Sequence, residues 1–90
     1  MSVLDVVGRD GRWLIGISDD LLERIEPATD ELRRRTGVDL DLYGDARLQG
    51  EQCDLFADLL AGLGFAETLD LIGVLRTAAR EAELLEFLGD

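Results

Sequence analysis

The chain contains no histidine and no lysine, and only one cysteine, one proline, one tryptophan and one tyrosine. Without histidine it lacks the commonest general base and the commonest zinc ligand. Without lysine, Schiff-base chemistry and a phosphate-loop lysine are excluded, and all nine basic residues are arginine. The single Cys53 cannot form an internal disulfide and belongs to no metal-binding spacing, which fits a reducing, cytoplasmic setting. No apolar run approaches the roughly 18 residues that span a bilayer. The first residues include Asp5 and no basic stretch, so no secretory signal is expected.

What is present is acid and aliphatic side chain. Twenty Asp and Glu against nine Arg give a net charge of −11. Such a surface repels nucleic acid and anionic membranes, and it attracts and steers a basic protein partner. Hydrophobic residues make up 47% of the chain, enough for a globular core and too many for disorder. Ninety residues predict one domain, 1–90. A domain this small buries only about 60–65% of its unfolded surface, so its stability is modest unless packing or oligomerisation adds to it.

Val3 to Val7 and Arg12 to Ile17 predict a β-hairpin, turned at Gly8-Arg9-Asp10-Gly11, where Asp-Gly favours positive φ. Trp13, Ile15 and Ile17 are expected on one face, Arg12 and Leu14 on the other. Ser18 is a natural N-cap, with Asp19 and Asp20 in the first turn. Leu21, Leu22, Ile25, Ala28, Leu32 and Thr36 keep a helical stripe through Pro27, predicting either a kink there or two shorter helices. Arg33, Arg34 and Arg35 fall in the last turn, where cations complement the dipole, and Gly37 suits the C-terminal cap.

The stretch Asp39 to Leu48 keeps no single period and reads as a loop. A further helix spans Gly50 to Leu63, with Cys53, Phe56, Ala57, Leu60 and Ala61 inward, and the next carries Leu69, Ile72, Leu75, Ala79 and Ala82 on its stripe. Glu83 to Leu88 fits either a continuation of the helix or a short strand beside the hairpin, and the strand is preferred because a hairpin alone is marginal in water. The expected fold is therefore α+β, an antiparallel sheet covered on one face by three helices.

Asp41-Leu42-Tyr43-Gly44-Asp45-Ala46-Arg47-Leu48, a helix opening with Glu51-Gln52, and the end Phe87-Leu88-Gly89-Asp90 together resemble a group of small acidic bacterial proteins. That group carries an Asp-x-Tyr-Gly-Asp-x-x-Leu core and a terminal Phe-x-Gly-Asp. The resemblance implies a cytoplasmic α+β domain with a final strand, and it brings no settled activity. Members open the middle helix with Ser-Pro, where Gln49-Gly50 stands here. Glutamine is a poor cap and glycine a poor first-turn residue, so an ill-defined helix start is expected.

Asp39-x-Asp41-x-Tyr43-Gly44 imitates the opening of a calcium loop, but the fifth position is Tyr43 and the twelfth is Gly50 instead of glutamate. Asp41 and Asp45 lie in one short loop, a poor platform for paired-carboxylate catalysis. No metal, no cofactor and no enzymatic activity are therefore expected. Arg47 is expected to brace the loop by pairing with Asp45 or Asp41. The expected site is a binding surface of Asp39, Asp41, Tyr43, Asp45 and Arg47, in which tyrosine supplies contact area and the carboxylates steer a basic protein, as in an inhibitor or immunity protein. The alternative is a homodimer that buries an apolar sheet face of Leu4 or Val7, Leu14 and Leu84 to Leu88, with the acidic loop serving the fold alone.

Overall fold

The computed structural model describes residues 2–41 and 43–89; Leu42 and Asp90, both part of the motif above, lie outside the described residues. The elements follow in the order β1 (Ser2–Val7), β2 (Trp13–Ser18), α1 (Asp19–Arg24), α2 (Glu26–Thr36), β3 (Asp45–Leu48), α3 (Gly50–Leu63), α4 (Leu69–Arg80) and β4 (Leu85–Leu88). Four antiparallel strands form one sheet in the order β2-β1-β4-β3. The hairpin and the terminal strand are as the sequence predicts. The fourth strand, β3, comes from the stretch read as a loop.

Cross-strand pairs define the two faces. Leu4 pairs with Ile17, Val6 with Ile15 and with Phe87, and Leu48 with Leu85. These side chains meet the helices in one buried cluster with Ile25, Leu32, Phe56, Leu60, Leu71 and Leu75. The Phe56 and Phe87 rings meet edge-on, 6.3 Å between centroids, at the middle of that cluster. Asp5, Leu88 and Asp45 form one row on the other face, and Val7, Glu86 and Arg47 the next.

The predicted alternation of β2 fails at a bulge. Val6 opposes Ile15 but Val7 opposes Trp13, so Leu14 is the extra residue. A bulge breaks the period of two. It moves Trp13 to the face opposite Ile15 and Ile17, where its indole N–H donates to Asp5 Oδ1 (3.1 Å), and Leu14 packs against the core. The apolar face expected for a homodimer is only part-formed, with Val7 and Leu88 on the uncovered side. Leu4 is fully buried under the helices, and the remaining uncovered face is interrupted by Asp5, Asp45, Arg47 and Glu86.

Ser18 caps α1, its hydroxyl accepting from the Leu21 N–H (3.1 Å). The stripe through Pro27 is carried by two helices, and the break falls at Ile25 (φ −94°, ψ 10°), two residues before the proline. Proline lacks the N–H for an interior bond and fits a first turn, so α2 begins just ahead of it. Ile25 is fully buried, which is why the apolar stripe survives the break.

Gly37 and Gly64 close α2 and α3 in the left-handed conformation. α3 starts sharply at Gly50, against expectation, because Gln52 reaches back to the Gln49 N–H (2.9 Å). A Cβ at Gly50 would stand 3.4 Å from the Ala82 Cα, so the glycine lets the start of α3 lie against the end of α4. On α4 the buried residues are Leu71, Leu75 and Ala78; Leu69 and Ala82 are exposed, so the buried stripe is rotated from the predicted one. In α3 only Ala61 leaves the predicted inner face.

Candidate functional site: an acidic groove

After Gly37 the chain has no regular structure, and the burial of residues 39–41 alternates. Leu40 is buried in the core cluster, while Asp39 and Asp41 on either side of it are exposed. One apolar side chain thus pins the loop and turns two carboxylates outward. They face the junction of α1 and α2 across a shallow groove of about 470 Å³, lined by Asp19, Leu22, Glu23, Glu26, Thr29, Asp30, Asp39, Leu40 and Asp41. Six carboxylates rim a patch of Leu22 and Leu40. Among the described residues no three acidic or thiol side chains converge to hold a metal ion.

The groove stands out because arginine is spent elsewhere. Arg24 pairs with Glu67 (2.9 Å) while stacking 4.6 Å over the Phe65 ring. Arg34 and Arg35 both hold Glu31, and Arg35 keeps that carboxyl below its ordinary range. Arg76 holds Asp54 (2.6 Å) and Asp58 (2.8 Å). Among the described residues of the groove only Asp30 has an arginine, Arg33, at 3.7 Å. Asp19 and Glu23 are also an i,i+4 like-charge pair, as are Glu26 and Asp30. Such pairs cost a helix about 0.2–0.5 kcal/mol each, so their local contribution to folding is unfavourable.

The five residues expected from the sequence are divided among three places. Asp39 and Asp41 join the groove. Tyr43 is 77% exposed on the turn that follows. Its N–H donates to Asp41 Oδ1 (3.0 Å), and the Gly44 N–H donates to the Asp41 carbonyl (3.2 Å). Asp45 and Arg47 lie on the uncovered sheet face, and Arg47 pairs across the sheet with Glu86 (3.5 Å), not with Asp45 or Asp41 as expected. The resemblance motif is accordingly half architectural. Its core and its terminal part meet as β3 on β4, tied beyond the strands by the Gly89 N–H to the Gly44 carbonyl (3.1 Å).

Sequence reasoning missed Asp19, Glu23, Glu26 and Asp30 as site residues. Their signal was present as acids spaced four apart, of which Asp19, Glu23 and Glu26 have no arginine three or four residues on, but the helix dipole accounts for Asp19 on its own and masked the pattern. Cys53 is no nucleophile. It is fully buried, its Sγ lies 3.6 Å from the Leu48 carbonyl, and burial, with the nearby Asp54 and Glu83 carboxylates, pushes the thiol up to about 11. No family model, curated protein or solved structure matches this chain, and its function is read from its own surface.

Proposed function

We propose that this chain is a non-enzymatic protein-binding module whose groove receives basic side chains of a protein partner, in the manner of an inhibitor or immunity protein. The observation that supports the reading is the set of solvent-facing carboxylates around Leu22 and Leu40, of which, among the described residues, only Asp30 has an arginine. Guanidinium or ammonium groups satisfy such carboxylates, and the apolar stems of arginine and lysine lie on leucine. Tyr43 adds an exposed ring one turn away, and the net charge of −11 speeds encounter.

The test is capture from the native host with wild type and with a Glu23→Gln, Glu26→Gln, Asp39→Asn variant. The expected result is a basic protein held by wild type at low salt, released as salt rises, and lost by the variant. The variant relieves two like-charge pairs and gives up the first-turn charge of Glu26, so its melting temperature is measured beside wild type and capture is compared where both are folded. Equal capture by both proteins, or capture indifferent to salt, overturns the reading.

A further inference from the structure

The two edges of the sheet are unlike. β3 is four residues long and carries Asp45 and Arg47, devices that blunt an edge. β2 has six residues, Trp13–Ser18, none of them charged and none proline. No hydrogen bond from the described residues reaches its outer side between Trp13 and Ile17. Beside it α4 leaves a groove of about 730 Å³, whose apolar lining includes Leu14, Ile15, Val74 and Leu69, the last 65% exposed. A strand added to β2 would satisfy the open backbone groups and drop its helix-side residues into that groove.

The ends of β2 say which strand fits. Arg12 precedes it and is exposed; Asp19 and Asp20 follow it and are exposed. An antiparallel strand with acid after its last residue and a cation before its first satisfies both ends at once. β2 is such a strand, with Arg12 before its first residue and Asp19 and Asp20 after its last. We propose that two copies of this chain join through β2, antiparallel about a two-fold axis near Gly16. Ile15 then faces Ile17 of the second copy, each Arg12 meets the acidic start of the other copy's α1, and the two sheets become one. Asp20 does not line the acidic groove, so this proposal and the binding reading are tested on different residues.

Sedimentation velocity from low to high micromolar concentration tests it. Wild type is expected to dimerise. Arg12→Glu turns two attractions into two repulsions and weakens the dimer by about tenfold or more. The doubly exchanged Arg12→Glu, Asp20→Arg variant restores it. A monomer throughout the range overturns the proposal, and so does a dimer indifferent to Arg12→Glu. Should the double variant fail to fold by circular dichroism, amide exchange in wild type decides. Protection of β2 amides that rises with concentration supports the pairing, and protection independent of concentration overturns it.

Discussion

Glu83 and Gly8 show how one contact decides a residue type. Glu83 is buried beside the hairpin turn, accepts from the Arg9 N–H (2.9 Å) and stands 3.8 Å from Arg12. A Cβ on Gly8 would lie 2.8 Å from the Glu83 carboxylate oxygen. Gly8→Ala must therefore displace the carboxylate and strip the turn of its acceptor, at a cost of about 1–3 kcal/mol. Urea unfolding measures that loss, and Glu83→Gln in the Gly8→Ala background should add little to it, since the contact is already broken. Cys53 carries a different prediction. Its folded pKa is raised, so the native state holds the proton more tightly than the unfolded chain does. The stabilisation is complete below the unfolded thiol pKa of about 8.5 and is lost as pH climbs through the folded value. Native protein should resist a thiol reagent at pH 8, and stability should fall by about 2–3 kcal/mol between roughly pH 9 and 11, a loss that Cys53→Ala abolishes.

At the scale of elements, the turns and helix ends carry the informative strain. Asp10 and Gly11 both adopt positive φ, as the Asp-Gly pair predicts. Ala82 does so as well, at φ 52°, where the chain leaves α4 and the Glu83 N–H returns to the Ala78 carbonyl (2.9 Å). An L-residue in that region costs about 1–2 kcal/mol. Ala82→Gly removes the strain and adds some unfolded-state entropy, so a net gain of about 0.5–1 kcal/mol is expected, seen as a rise in melting temperature. The elements read best from sequence were the hairpin, the Ser18 cap and α3, because each has a local period or a local end signal, while the terminal strand was legible only from the hairpin's need of a neighbour. The elements read less well were set by distant partners. β3 shows no signature of its own and is a strand because Phe87 and Leu85 stand beside Ala46 and Leu48. Trp13 changes face because β1 and β2 slip by one residue at Leu14.

At the scale of the molecule, charge and fold pull in opposite directions. Eleven net negative charges repel one another in the compact state, and the acidic groove concentrates part of that repulsion. Added sodium chloride is expected to raise the melting temperature of the isolated chain while weakening its hold on a basic partner, because screening relieves the first effect and erodes the second. A melting temperature that fell steadily with salt would show that the arginine pairs outweigh the repulsion. No helix among the described residues is long and apolar enough to cross a membrane.

The sequence by itself determined the α+β class, the hairpin, the burial of Cys53 and the excess of negative charge. Those follow from composition and from periods two to four residues long, which every chain segment carries within itself. Only the tertiary structure decided that Asp39 and Asp41 share a groove with Asp19, Glu23 and Glu26, that Asp45 and Arg47 turn to the sheet, and that β2 is left with an open edge. Those facts depend on which distant segments pack together and on which carboxylates the nine arginines reach, and no local pattern encodes either.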